Sequence, residues 1–400
     1  MARNFVIIGA GEAGVAAAAA IRAQDADATI QIVTDEPHLP YERPPLSKDV
    51  LTGEGKPTLL RQPEWYESQR VNLVQGVADR IDSASHTIWV ADKPLSYDKL
   101  LIATGAHARR LPFPGILYLR RWEDAMAIRD GLRTARRIAV VGGGVIGLEL
   151  ASSARALGLK VVVIEAAERL MSRALAPEVS EWLYQLHRGA GVNLLLGKSL
   201  QSVDQDGDTY VVTLATGERF EVDLVLAGVG AVPEIALASS AGCAIDNGVL
   251  VDASGRTSVD DIYAAGDGAH FFLPSANAHV RLEAWQHAGR HGAHVGQVMA
   301  GGDQQYDCTP WFWTDQFKVN LQVAGFAAQS DQSIWRGTGA KRLAFHFKDD
   351  RLVGATAIDN GRDMRSAIQL IEAGWTGDAA ILADEDTPLR TIAQAARIAA

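Results

Sequence analysis

Two stretches of the chain, more than a hundred residues apart, carry the same chemical instruction. Val6-Ile-Ile-Gly-Ala-Gly-Glu-Ala-Gly14 places glycines at 9, 11 and 14, and Val140-Val-Gly-Gly-Gly-Val-Ile-Gly147 places them at 142, 144 and 147. In a G-x-G-x-x-G turn the first glycine permits the tight bend, the second lets a pyrophosphate approach the backbone, and the third lets helix and strand pack closely. The helix that follows presents free N–H groups and a partial positive charge, which suit an anion. One such motif alone is weak. Here both copies follow an apolar run and precede an Ala- or Leu-rich helical stretch, the context the motif requires. Each then leads to a second apolar run ending in an acid, Ile30-Gln-Ile-Val-Thr-Asp35 and Lys160-Val-Val-Val-Ile-Glu165. The acids lie 21 and 18 residues beyond Gly14 and Gly147, close to the ~20 of a carboxylate that binds a ribose diol. A carboxylate at 165 also repels the extra phosphate of NADP, so the second site favours NADH. Turn carboxylates and chance glycine turns are the plain alternatives, and Arg169 could instead accept that phosphate or be a solvated helix charge.

The elements that must position these turns follow from the same periodicity. Leu100-Leu-Ile-Ala-Thr-Gly105 reads as a buried strand ending in a turn, and Asp223-Leu-Val-Leu-Ala-Gly-Val-Gly230 repeats it after the second motif. Between them Arg109-Arg-Leu-Pro-Phe-Pro-Gly115 reads as a linker. Asp206-Gly207 and Thr216-Gly217 punctuate alternating strands, and Ile262-Tyr-Ala-Ala-Gly-Asp267 is a further strand and turn before a helical run from Glu283 to Ala300. From about Pro310 the pattern changes to hairpins, such as Leu343-Ala-Phe-His-Phe and Leu352-Val-Gly-Ala-Thr around Lys-Asp-Asp-Arg, and then to two helical runs. The fold class expected is α/β, with two Rossmann-like dinucleotide-binding domains and a C-terminal α+β domain. The expected division is 1–111 and 245–310 for the first nucleotide domain, 112–244 for the second, and 311–400 for the last.

Bulk composition limits the partners. Four hundred residues, 48% hydrophobic and 22% charged, describe a globular protein of two or three domains, and a net charge of -10 argues against nucleic-acid binding. Only Cys243 and Cys308 occur, without a CxxC, so neither a disulfide framework nor a dithiol pair is expected. No apolar run is long enough for a signal core or a membrane span, which points to the cytoplasm. His287, His291 and His294 fall on one helical face at i, i+4 and i+7, but no acid or cysteine is spaced to complete a metal site. A surface or packing role is expected for them, and no metal.

Five further segments occur in order: Pro40-Tyr-Glu-Arg-Pro-Pro-Leu-Ser-Lys48, Ala103-Thr-Gly105, Gly142-Gly-Gly-Val-Ile-Gly-Leu-Glu149, Ala264-Ala-Gly-Asp267 and Pro310-Trp-Phe-Trp-Thr-Asp-Gln316. With them the chain resembles, over essentially its whole length, the FAD-containing NADH-dependent ferredoxin reductases that serve Rieske dioxygenases and haem-thiolate monooxygenases. The resemblance implies a glutathione-reductase-like architecture with FAD and NAD as cofactors. It places FAD against Gly9, Gly11, Ala13, Gly14, Asp35, Arg43, Lys48, Ala103, Thr104, Gly105, Arg120, Asp267 and Trp285, with the aromatic segment around Trp313 also bordering the flavin. NAD falls against Gly142, Gly144, Val145, Ile146, Gly147, Glu149, Glu165 and Gly230. Lys48 and Glu149 are the implied catalytic pair, a buried Lys-Glu couple that holds the ring region in one charge state. Surface charge for Lys48 and Arg120, core packing for the two tryptophans, and helix N-terminal charge for Glu149 are the bland alternatives.

Relatives that reduce disulfides carry a CxxxxC beside the flavin, and oxidases and peroxidases one reactive cysteine. Here Pro44-Pro-Leu-Ser-Lys48 stands in that place. Electrons must then pass straight from flavin to an external acceptor, expected to be a 2Fe-2S ferredoxin. The arginine pairs at 109–110, 120–121 and 136–137 could steer an acidic partner. A monomer or homodimer is expected, without nucleic acid or membrane. Rubredoxin reduction, or NADH oxidase or peroxidase activity, is the alternative on the same scaffold; a nucleotide-regulated binding protein similar to apoptosis-inducing factor is the alternative of another class.

Overall fold

The computed structural model describes residues 2–399, which divide into two compact units. The first comprises the chain up to residue 43 with 57–107 and 231–308, and the second comprises 44–56, 108–230 and the chain from 309 on.

In the first unit the β-branched runs do what their composition dictates. Asn4–Ile8 lies at the centre of a parallel sheet with the order Ile262–Ala264, Lys99–Ile102, Asn4–Ile8, Thr29–Thr34, Val71–Gln75. Phe5, Ile7, Ile32 and Leu101 are fully buried, as expected when both faces of a parallel sheet are covered. Each such side chain contributes about 1.5–3 kcal/mol by leaving water. The helix Glu12–Gln24 buries Ala13, Val15, Ala17, Ala18 and Ile21. Its run of small residues lets a second helix, Trp285–Met299, come unusually close: a Cβ added at Gly292 or Gly296 would collide with the carbonyl oxygen of Ala13 or Ala17. An antiparallel meander, Ala78–Asp82, Thr87–Val90 and Lys93–Ser96, completes this unit with a four-stranded sheet built around Gly248–Val251 and Ala269–Leu273.

The second unit repeats the plan. Its parallel sheet runs Asn193–Leu196, Lys160–Glu165, Arg137–Val141, Leu224–Ala227, Ile116–Tyr118, and the helix Val145–Ala156 follows the central strand. Gly207 and Gly217, both at positive φ, turn the hairpins of a three-stranded antiparallel sheet, Leu200–Asp206, Thr209–Leu214 and Arg219–Val222. The C-terminal part is a five-stranded antiparallel sheet in the order Trp311–Gln316, Val319–Gly325, Arg351–Ile358, Arg342–Lys348, Gln332–Arg336. Asp349 and Asp350, at φ 49° and 60°, form the two-residue turn expected from Lys-Asp-Asp-Arg, since paired left-handed residues match the twist of a hairpin. Helices Gly361–Glu372 and Leu389–Ala399 close its core through Met364, Ala367, Leu370, Leu389 and Ala393 against Leu343, Phe345 and Ala357. A short third helix, Ala379–Ala383, joins the two foreseen there.

Candidate functional site

The two glycine turns are built alike, atom for atom. Gly9 and Gly142 sit at φ 112° and 103°, and a Cβ on either would strike the carbonyl oxygen of Ala103 or Gly228 on the neighbouring strand end. Only glycine tolerates both the left-handed backbone and that approach. Gly14 and Gly147 come so close to the carbonyls of Gly9 and Gly142 that no side chain fits. The middle glycines differ in kind. A Cβ on Gly11 would meet nothing within 4 Å, and one on Gly144 only the Gly228 oxygen at 3.8 Å. These positions therefore front open space, and among the described residues no side chain caps either helix start at Gly11 or Gly144. An uncapped helix start beside open backbone is the arrangement a pyrophosphate requires, so both turns fit the dinucleotides.

The ribose-side acids are not equivalent. Glu165 accepts hydrogen bonds from the backbone N–H of Gly143 at 2.6 Å and of Ala167 at 2.7 Å, which aims its carboxylate across the turn. Gly9 N–H donates to Val33 and Gly142 N–H to Ile164, so the register partner of Glu165 in the first unit is Thr34. Asp35 is one residue further out and exposed; spacing alone had made the two acids look matched. Its neighbour Glu36 instead takes an ion pair from Arg43 at 3.0 Å and a hydrogen bond from Tyr41. Arg169 turns inward, donating to the Leu175 and Ser172 carbonyls and to Ser180, so it stands as neither a phosphate ligand nor a solvated charge.

Around these turns the first unit gathers several of the anticipated residues. Ala103, Thr104 and Gly105 follow the strand beside Gly9, with the Thr104 hydroxyl donating to the Glu234 carbonyl at 3.1 Å. Gly266 at φ 77° starts the turn that holds Asp267, and a side chain there would crowd Ala13. Trp285 opens its helix and packs, with Ala10, on the first unit's core. In the second unit Val145 and Ile146 form the first helical turn, Ile146 remaining 38% exposed, and Gly230 at φ 101° accepts from the Arg109 N–H. Arg120 precedes the helix Trp122–Thr134 and is half-buried. Trp313 stacks on Trp311 and donates to Asp315.

The most unusual chemistry lies in the second unit, where Glu149 is 3% exposed on the helix Val145–Ala156. Lys48 Nζ reaches its Oε1 at 3.0 Å and also donates to the Pro44 carbonyl. Ser47 donates to Oε2, and Thr314 to Oε1 at 2.7 Å. A buried carboxylate is tolerable only when paired and fully hydrogen-bonded, and here three donating contacts on two oxygens meet that need. The sequence reading found Lys48 and Glu149 but missed Ser47, Thr314, Gln316 and His187, which complete the network. The Ser47-Lys48 adjacency and the Thr-x-Gln alternation on one strand were the only signals.

The histidines of Trp285–Met299 are packed, not on the surface. His287 and His291 are buried at 4% and 0% exposure, stacked with Phe271 and Tyr306. Burial pushes the His287 imidazole down to about 4, against the opposing charge of Asp267, and takes His291 well below the usual range. Among the described residues no group of three His, Cys, Asp or Glu could hold a metal ion, and no helix is long and apolar enough to cross a membrane.

Two glycine turns on two parallel sheets, each with its own open anion site, define a protein that binds two nucleotides. Residues 3–292 match the family described as Pyridine nucleotide-disulphide oxidoreductase, and 311–393 match Reductase C-terminal. A ferredoxin--NAD(+) reductase component of an anthranilate 1,2-dioxygenase system from Burkholderia cepacia is 38% identical, with 97% of this chain and 98% of that protein covered. A putidaredoxin reductase from Pseudomonas putida is 33% identical, over 98% and 97%. A solved ferredoxin reductase from Rhodopseudomonas palustris superposes with a TM-score of 0.95 at 32% identity, covering 98% of this chain and all of that one. The chain belongs to the pyridine nucleotide-disulphide oxidoreductase family, within its ferredoxin reductases, and uses FAD and NAD.

Proposed function

We propose that this protein takes electrons from NADH through FAD to a 2Fe-2S ferredoxin that supplies an oxygenase. The observation that carries the reading is the 44–56 segment, where a buried Lys48–Glu149 pair with Ser47 stands in the place of a dithiol. Solved relatives include a covalent complex of putidaredoxin reductase with putidaredoxin, at a TM-score of 0.94 and 32% identity over 99% of each chain. That complex supports a small redox protein as acceptor here.

When bound, FAD accepts a hydride from NADH and passes electrons on one at a time. The chain supplies grip, orientation and charge. Gly9, Gly11, Ala13 and Gly14 would cradle the FAD pyrophosphate, with Asp35, Arg43, Ala103, Thr104, Gly105, Asp267 and Trp285 along that cofactor. Gly142, Gly144, Val145, Ile146, Gly147 and Gly230 would do the same for NADH, with Glu165 on its ribose. Lys48 and Arg120 would serve the flavin, and Glu149 would orient the nicotinamide through its fixed carboxylate. No general acid is needed for hydride transfer, so the Lys48–Glu149 pair sets position and charge. The segments 1–111 and 245–310, 112–244, and 311–400 would act as FAD, NAD and C-terminal parts, in a cytoplasmic monomer or homodimer.

Purified protein is expected to be yellow, to bleach with NADH in the absence of oxygen, and to reduce cytochrome c only when a ferredoxin is added. A folded, colourless protein, or equal rates without ferredoxin, would end this reading.

A further inference from the structure

The Glu149 carboxylate is the end of a longer row of buried groups, all in the second unit. His187, with no exposed surface, lies on the helix Pro177–Gly189 and its Nε2 meets Gln316 Oε1 at 2.6 Å. Gln316 Nε2 donates to Thr314 Oγ1 at 2.9 Å, and Thr314 Oγ1 donates to Glu149 Oε1 at 2.7 Å. Thr314 and Gln316 share one face of the strand Trp311–Gln316 because side chains alternate along it.

The chemistry of each group fixes the direction of every hydrogen bond. An amide donates only through nitrogen and accepts only through oxygen. Gln316 Nε2 fills a lone pair of the Thr314 hydroxyl, so the single Thr314 proton is directed at Glu149. Gln316 Oε1 faces His187, so His187 carries its proton on Nε2 and leaves Nδ1 bare; that Nδ1 is buried without a partner. Burial pushes the His187 imidazole down to about 4, the Gln316 contact opposing it only in part, so the ring at the far end is neutral. Every proton in the row points toward one carboxylate, and dipoles aligned this way reinforce one another in a low-dielectric interior.

We propose that Thr314, aimed by Gln316 and His187, is a positioning residue of the nicotinamide subsite, fixing the Glu149 carboxylate in the rotamer that receives the ring carboxamide. This rests on the reading above that Glu149 orients the nicotinamide. Thr314 lies in the C-terminal sheet, so that sheet contributes to reading the nucleotide as well as to closing its own core.

The test compares two ligands on the oxidised, FAD-loaded protein, where nothing turns over. NAD+ carries the nicotinamide and ADP-ribose lacks it. Thr314→Val keeps the shape but removes the donor. It is expected to weaken NAD+ binding roughly tenfold, the scale of a hydrogen bond to a charged group, and to leave ADP-ribose within about twofold. Thr314→Ser restores the hydroxyl and should bind both ligands as the parent does. Unchanged NAD+ affinity in Thr314→Val, or equal weakening of both ligands, overturns the proposal. Glu149→Gln tests the reading beneath it: unchanged NAD+ affinity there removes the role of Glu149 itself. Should Thr314→Val not yield folded yellow protein, Gln316→Met, which leaves the hydroxyl unaimed, is titrated in the same way. Weakened NAD+ with unchanged ADP-ribose then supports the proposal, and any other pattern overturns it.

Discussion

The helix after the first glycine turn and the helix after the second begin identically and then diverge. Glu12–Gln24 is lined with Ala and Val and is met by a helix whose Gly292 and Gly296 touch its carbonyls. Val145–Ala156 instead buries Glu149, Ser152 and Ser153, each tied by hydrogen bonds to residues distant in sequence. The first helix is gripped by close apolar packing with little room to adjust. The second is held by polar contacts whose geometry depends on a few protons. On the proposed assignment, the former would suit a resident cofactor and the latter a ligand that must enter and leave.

The sharpest way to break this contrast is to fill each turn. Gly14→Val, whose side chain would strike the Gly9 carbonyl, is expected to give protein without flavin, seen as loss of visible absorbance. Gly147→Val should remain yellow while NADH affinity falls roughly ten- to hundredfold, the scale of overpacking. If Gly147→Val also loses its flavin, the two turns are not independent.

Packing itself comes next. Gly292→Val, placed against the Ala13 backbone, is expected to cost about 1–3 kcal/mol and to loosen the flavin. Ser152→Ala, which leaves the Phe317 N–H without its acceptor, should cost about 1–3 kcal/mol with flavin content unchanged. Thermal melts with flavin release read both.

Acid should weaken the fold through its buried imidazoles. Burial lowers His187, His287 and His346 to about 4. The unfolded chain, with ordinary histidines near pH ~6.5, therefore binds protons first. Stability is complete above that pH and is lost as pH falls from there toward 4, at about 1.4 kcal/mol per pH unit for each histidine. A melting temperature that does not change between pH 7 and 5 would contradict the burial described.

The smallest effect concerns Gly143. A Cβ there would lie 2.8 Å from Leu170 and 3.1 Å from the Glu165 carboxylate. Gly143→Ala should displace that acid and reduce the preference for NADH over NADPH severalfold, measured as the ratio of kcat/KM values. An unchanged ratio would mean that Glu165 does not set the choice.

The turns were legible in the sequence because each glycine answers a local steric demand that no other residue meets. Parallel strands were legible because burial on both faces leaves continuous Val and Ile runs. The Asp349-Asp350 hairpin was legible for a similar reason, its turn chemistry being confined to two residues. What was illegible depends on distance. Ser47, His187, Thr314 and Gln316 join the network around Glu149 only after folding, and no periodicity in any one segment marks them. The equivalence of Thr34, not Asp35, to Glu165 was hidden because it follows from which carbonyl each first glycine donates to, Val33 or Ile164, and spacing to an acid does not report that. The three histidines looked amphipathic, yet Phe271 and Tyr306, which cover them, come from other elements.

The glycine-lined contact between Glu12–Gln24 and Trp285–Met299 joins segments that leave the ribosome far apart in time. The strand Ile262–Ala264 at the edge of the same sheet is equally late. The amino-terminal third must therefore wait, incomplete, until about three-quarters of the chain has been synthesised, while 108–230 is already available to condense. High sequence separation of this kind slows folding, and with FAD held at Gly9 to Gly14 as proposed it would make flavin capture a late event in the life of a nascent chain. Chains released before residue 299 should emerge colourless.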